Sequence, residues 1–266
     1  MENILSLVAA GLYTLSGFLT GYRLLGNQQQ KLPRKLPIAL GFVALLIHAF
    51  LLNQGIVLSV GYNLGIFNAA SLIAFVISMM LLISSLNKPV ENLGIIILPI
   101  AALTLILQIR YPGFHLLDTL ASWGLKVHVL ISLLAYSLLT LASAQAILLA
   151  ILDKKLHDRK TGAFVRAMPP LQTMEKLLFE MILVGFIFLT AALLSGFIYL
   201  DDMFMQKVAH KTVLSILSWV FFGVLLYGRF KFGWRGKKAI RWTLGGFATL
   251  MLAYFGTKAV LELVLQ

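Results

Sequence analysis

The sequence predicts an all-α fold: a polytopic transmembrane bundle of eight helices with both termini on the outer, periplasmic side. Three observations carry this reading. Hydrophobic residues make up 60% of the 266 residues and charged residues only 12%, with a mean hydropathy of +0.92; a soluble globular domain would carry about twice that charged fraction. Eight apolar runs, roughly 3-25, 37-54, 65-86, 93-109, 125-152, 177-199, 211-229 and 240-262, approach the length of about 20 residues that a helix needs to cross the hydrocarbon. The lysines and arginines also fall overwhelmingly in alternate connections. The connections leave no room for a separate soluble domain, so 1-266 is expected to form a single eight-helix membrane domain.

The first span, in MENILSLVAAGLYTLSGFLTGYR, lacks a positive leading region and is too long for a signal-peptide core, so it is expected to stay as a helix. Its Gly17 and Gly21 form a GxxxG pair, which suits close helix packing. The second span places His48, in ALLIHAFLLNQ, about two turns below the outer surface. Lys88 lies in the short connection between the third and fourth spans. The fifth span is unusually small-sided, with Ser132, Ser137, Ala142, Ser143, Ala144 and Ala146, and again reads as close packing. In the connection 153-176, Pro169 and Pro170 should stop any helix before the sixth span begins. Within the sixth span the Ser195-Gly196 pair reads as packing. The connection RFKFGWRGKKAIR (229-241) mixes aromatics with cations, as interfacial anchors do.

Assigning alternate connections to opposite sides puts Arg23, Lys31, Arg34, Lys35, Lys88, Lys154, Lys155, Arg159, Lys160, Arg166, Lys176, Arg229, Lys231, Arg235, Lys237, Lys238 and Arg241 together. That is seventeen, against Arg110, Lys126, Lys207, Lys211 and Lys258 on the other side. By the positive-inside rule the seventeen face the cytoplasm, in an inner (plasma) membrane crossed several times. A miscounted helix would invert every later connection and erase the asymmetry. The formal net charge of +12 therefore reads as topology and contact with anionic lipid headgroups, not nucleic-acid binding. Cysteine is absent, which removes disulfides, thiolate metal sites and thioether capture of a cofactor. Histidine, carboxylate or packing must hold any cofactor.

Four of the five histidines, His48, His115, His128 and His210, fall toward the outer side. His128 lies about one turn inside the outer end of the fifth span, in WGLKVHVLISLLAY, and His210 sits at the outer start of the seventh, in QKVAHKTVLSILSW. Two neutral imidazoles at one depth on different helices can ligate a haem iron axially; each can equally be an interfacial histidine wetted by headgroups. His48 is either a functional group, as buried ionisable residues in spans often are, or a hydrogen-bond partner for a neighbouring helix. His115 reads as solvated and His157 as a surface residue. Glu180, Asp201, Asp202 and the Lys258-Glu262 pair make no general acid/base arrangement and no acidic path across the membrane. Phosphate-binding glycine loops, HExxH and GxSxG are missing, so the protein is expected not to be an enzyme. No internal repeat suggests a transporter of inverted-repeat design.

Three passages together resemble a known family: WGLKVHVLISLLAYSLLTLASAQAILLAILDKKL (123-156), MPPLQTMEKLLFEMILVGFIFLTAALLSGF (168-197) and HKTVLSILSWVFFGVLLYGRFKFGWRGKKAIRWTLGGFATLMLAYFG (210-256). The fifth-span histidine, the PPL-x-x-x-E lead-in to the sixth span and the W-x(8)-GR-x(4)-WRG passage resemble the cytochrome c assembly superfamily of CcsA- and CcmC-type haem-handling membrane proteins. Within it the YpjD/HemX-like branch is most similar.

The resemblance implies haem, of b type, near the outer face, with His128 and His210 at the axial-ligand positions, His48 as a second-site or relay group and Trp123 beside the cofactor. It also implies a further membrane or cytochrome c assembly protein as partner, besides haem and membrane lipids. The family's tryptophan-rich WWD motif is missing, its region offering only Trp123 in ASWG; this shifts the expectation from delivery of haem to its binding or handling. A haem-free, HemX-like regulatory protein that modulates a partner through the basic 153-176 connection is the alternative.

Overall fold

The computed structural model describes residues 2–25, 32–58, 61–63, 65–111, 116–117, 123–159, 162–199 and 209–256. Among these the fold is helical apart from three short paired segments. The helices are α1 (Glu2–Leu25), α2 (Lys35–Ile56), α3 (Ile66–Asn87), α4 (Gly94–Arg110), α5 (Trp123–His157), α6 (Ala163–Ala167), α7 (Leu171–Tyr199), α8 (Ala209–Phe232) and α9 (Gly236–Met251). A 3₁₀ turn, Glu91–Leu93, leads into α4, and a π turn, Leu252–Gly256, follows α9. Seven helices are long and apolar enough to cross a membrane: α1, α2, α3, α4 with its leading turn, α5, α7 and α8. α9 is shorter, and residues 257-262 of the predicted eighth span lie outside the described residues.

The molecule comprises two compact units, Met1–Leu120 with Lys154–Pro169, and Ala121–Asp153 with Pro170–Gln266. In the first, α1 packs on α2 and α4, and α3 on α2 and α4. Small residues set these approaches. A Cβ on Gly17 would lie 3.1 Å from both the Gly94 carbonyl oxygen and Pro99 Cδ, so the GxxxG pair packs as its sequence suggests. Gly17→Val is expected to cost about 1–3 kcal/mol by overpacking the α1–α4 seam, read as a lower midpoint of thermal unfolding in detergent.

The two ends of this unit are tied differently. At one end Arg34 Nη2 donates to the carbonyls of Ser85 (2.6 Å) and Lys88 (3.0 Å), capping α3, and to Glu91 Oε2 at 3.0 Å. Arg23 Nη1 approaches Glu91 Oε1 at 3.8 Å. This cluster joins the α1–α2 and α3–α4 connections, which the charge asymmetry places on one side. At the other end a small antiparallel sheet gathers the α2–α3 and α4–α5 connections: β1 (Val57–Leu58), β2 (Gly61–Asn63) and β3 (Leu116–Leu117), with Val57 opposite Tyr62 and Tyr62 opposite Leu117. Asn68 Nδ2 donates to the Asn63 carbonyl (3.1 Å) and fixes the start of α3. Some buried hydroxyls serve their own helix, Thr20 donating to Ser16 O and Ser85 to Leu81 O, as serine and threonine commonly do inside helices, while Ser16 donates across to the Pro37 carbonyl of α2 (2.6 Å).

In the second unit α5 and α7 run antiparallel, and the paired residues fall in α7 as they rise in α5. Gly124 meets Tyr199, His128 meets Ser195, Gly185 meets Leu138 and Leu139, and Gln145 Nε2 donates to the Met174 carbonyl at 3.1 Å. α8 runs antiparallel to α7: Trp219 Nε1 donates to Thr190 Oγ1 (2.9 Å) and stacks on Phe186 (5.5 Å). α9 returns along α8, where Ser218 Oγ donates to the Gly246 carbonyl (2.8 Å) and Gly246 accommodates Phe221 and Phe222. Tyr136 of α5 meets Phe247 of α9 at 6.0 Å and Tyr254 of the π turn at 6.1 Å, which closes the four helices on one another.

α7 begins at Leu171, six positions before the predicted 177. The added turns, LQTMEK, are polar but bury Met174 and Glu175, and prolines directly ahead of a first helical turn lose no hydrogen bond. Pro169 and Pro170 do separate α6 from α7, as expected.

Candidate functional site

The histidines have unlike settings. His128 is half-buried on α5, and its Nδ1 lies 3.0 Å from Ser195 Oγ on α7. Ser195 spends its hydroxyl hydrogen on the Ala192 carbonyl, 3.0 Å away, so the serine oxygen accepts and His128 Nδ1 is the donor. With a hydrogen on Nδ1, a neutral ring carries its lone pair on Nε2. A metal-binding imidazole needs that arrangement: one nitrogen anchored by a hydrogen bond, the other free to ligate. Gly124 makes the close approach of α5 and α7 here, since any Cβ on it would strike the Tyr199 ring. Trp123, the first residue of α5, is 80% exposed.

His210 is the second residue of α8; its side chain lies outside the described residues, as do all atoms of His115. The α7–α8 register carried back from Trp219 and Thr190 sets the His210 backbone level with Tyr199. That is about one helical turn, ~6 Å, outside Ser195 and His128. His157 is exposed at the end of α5.

His48 sits in the first unit, wholly buried. Tyr13 Oη lies 3.2 Å from its Nδ1 and Ser71 Oγ 2.9 Å from its Nε2. Phe75 presents its ring edge-on, with centroids 5.4 Å apart. Both ring nitrogens therefore have hydroxyl partners on flanking helices, and an iron on either would have to displace one. Among the described residues no three of His, Asp and Glu cluster as a metal site would require.

A second constellation lies at the opposite end of the second unit from His128. Glu175, buried in the first turns of α7, accepts from the Gly236 amide through Oε1 (3.0 Å) and approaches Arg229 Nη1 through Oε1 and Arg235 Nε through Oε2, both at 3.9 Å. Arg229 lies over Phe179, 4.5 Å from its centroid, and donates through Nη1 to the Trp234 carbonyl at 3.2 Å. Gly233 has a left-handed φ of 64°; its amide bonds the Arg229 carbonyl and that of Trp234 the Gly228 carbonyl, an αL ending that favours glycine at that position. Trp234 folds back onto Gly228, where no Cβ would fit. The PPL-x-x-x-E and W-x(8)-GR-x(4)-WRG passages are thus one clasp joining α7, α8 and α9.

Residues 36–265 match the model of the Cytochrome C assembly protein family. The chain belongs to that family. It is similar to the Inner membrane protein YpjD of Escherichia coli (strain K12), with 33% identity over 238 residues, 87% of this chain and 88% of the relative. Cytochrome c biogenesis protein CcsA of Chlamydomonas reinhardtii is 28% identical over 151 residues, 55% of this chain and 41% of the relative. CcsA of Welwitschia mirabilis is 28% identical over 199 residues, 64% and 65% of the two chains. No solved structure matches.

For this cytochrome c assembly family member, the sequence reading singles out His128 and passes over Ser195. A serine beside a glycine in an apolar helix resembles a packing residue, and its imidazole partner is 67 positions away. The one available signal was depth, since Ser195 lies four residues before the end of α7 and His128 five after the start of α5.

Proposed function

We propose that the protein handles haem at the outer face of the inner membrane, binding haem b without a covalent link, His128 Nε2 supplying one axial nitrogen and His210 the other. The observation that supports this reading is the His128–Ser195 hydrogen bond, which orients the ring through Nδ1 and leaves Nε2 as the nitrogen that would ligate. The donor set fits the cofactor: a neutral imidazole suits haem iron, and a chain without cysteine leaves haem uncrosslinked. The names of the CcsA relatives, which concern cytochrome c biogenesis, agree with it. Bound haem would supply the iron, and His128 and His210 are the residues that would hold it. The chain's own residues orient His128, through Ser195, and flank it with Trp123. The role is non-catalytic, and the recipient or donor of haem is another membrane or cytochrome c assembly protein. In the same reading residues 240-262 form an eighth crossing that begins in α9, and both termini face outward.

The absorption spectrum of detergent-purified protein, oxidised and reduced, tests this. A Soret band is expected at about one haem per chain; His128→Ala should abolish it and His210→Ala should shift and weaken it. Ser195→Ala should retain haem with roughly 10-fold weaker hemin binding, as loss of a hydrogen bond behind a metal ligand generally does. A colourless wild type that takes up no hemin at micromolar concentration sinks the reading.

A further inference from the structure

The clasp at the α8–α9 turn uses its one buried carboxylate internally. Glu175 is occupied by Arg229, Arg235 and the Gly236 amide. The remaining cations of the turn, Lys231, Lys237, Lys238 and Arg241, are all exposed, and in sequence the only carboxylates between Glu180 and residue 257 are Asp201 and Asp202, in the connection from α7 to α8. Lys237 and Arg241 lie four apart on α9 and Lys238 and Arg241 three apart, so the three share one side of the helix. Lys238 Nζ stands 5.6 Å over the Trp234 ring, and Trp234 is itself fixed against Gly228 and, at 5.7 Å, against Trp242. The cationic group is therefore mounted on a rigid turn.

Exposed apolar rings lie at the end of α8 that leads into this turn. Tyr227, Phe230 and Phe232, in the last turns of α8, are 62%, 74% and 65% exposed. Exposed aromatics at the same helix end as cations that meet no carboxylate among the described residues fit one kind of surface, the level in a bilayer where acyl chains meet phosphate. A soluble acidic protein would leave those rings uncovered, whereas a lipid covers both.

We propose that the α8–α9 turn is a binding site for an anionic phospholipid, its phosphate held by Lys237, Lys238 and Arg241 and its acyl chains against Tyr227, Phe230 and Phe232. This is independent of the haem reading. Each cation near an anionic headgroup contributes about a fivefold factor in affinity, so removing three should cost about 100-fold.

The test uses the full chain in a neutral detergent, mixed with equimolar cardiolipin, phosphatidylglycerol and phosphatidylcholine, with retained lipids counted by native mass spectrometry. Wild type is expected to retain the two anionic lipids at least tenfold over phosphatidylcholine. The triple variant K237Q/K238Q/R241Q should lose that preference, and K238Q alone should reduce it about fivefold, which keeps the test informative if the triple variant folds poorly. Changing a different basic connection, K154Q/K155Q, should leave it within twofold. Equal retention of all three lipids by wild type overturns the proposal, as does undiminished preference in both K238Q and the triple variant. So does an equal loss in K154Q/K155Q, or displacement of the lipid by inorganic pyrophosphate at lipid-like concentrations, which would mark a soluble-anion site.

Discussion

Glu175→Ala is expected to lower the unfolding free energy by about 4 kcal/mol, measured by thermal or denaturant unfolding in detergent. The carboxylate is buried, and its loss strands two kinds of partner. Arg229 keeps its place over Phe179 and its bond to the Trp234 carbonyl but loses its counter-charge in a half-buried setting, and removing one member of a buried ion pair costs about 3–5 kcal/mol. The Gly236 amide at the start of α9 loses its acceptor, which costs about 1–3 kcal/mol where water cannot replace it. Against these, Arg235 is 69% exposed, and an exposed pair contributes about 0–1 kcal/mol, so the total stays near the lower end. Glu175→Gln preserves an acceptor for Gly236 and should cost about half as much. A Glu175→Ala protein within 0.5 kcal/mol of wild type would show that the clasp is incidental to stability.

That clasp also shows where sequence alone stopped. Its parts were legible: the glutamate four positions beyond the leucine of PPL, the Gly-Arg pair at the end of α8 and the Trp-Arg-Gly run after it stand out by spacing. Their union was not, because Glu175 and Gly236 are 61 positions apart and nothing in either passage names the other. The seven long helices were legible for a simpler reason, since length and hydropathy are properties of a continuous run. The opening turns of α7 were not, because LQTMEK is polar and its burial comes from Arg229, Phe179 and the α8–α9 turn, not from lipid. The three short strands lie beyond any periodicity test: two- and three-residue pairings arise only when two connections are brought together at a helix end.

The polar residues divide similarly. A histidine in an apolar run attracts notice at once, so His48 and His128 were both found. What separates them is their partners. His128 is held through Nδ1 by Ser195 of α7, while His48 has both nitrogens served by hydroxyls from α1 and α3. Identical residue types at comparable depth thus take different work from the neighbouring helices, which no spacing rule reports.

His48→Ala is accordingly expected to be among the most destabilising single changes in the first unit and nearly silent for haem. The imidazole is fully buried and lies edge-on to Tyr13 and Phe75 at 5.8 and 5.4 Å; truncating a buried ring to alanine costs about 3–5 kcal/mol through lost packing. Tyr13 Oη and Ser71 Oγ lose the partner that links α1, α2 and α3, although hydrogen bonds between membrane helices average only about 0.6 kcal/mol, so packing dominates the loss. His48→Phe, which refills the volume without the nitrogens, should recover most of the stability, whereas His48→Gln should recover less. The haem content per folded chain, read from the Soret band against protein absorbance, should remain within about 20% of wild type in His48→Phe if His48 is a clasp between helices. If His48→Phe folds with wild-type stability yet loses its haem, His48 is a ligand after all, and the hydroxyl contacts describe only its unliganded setting.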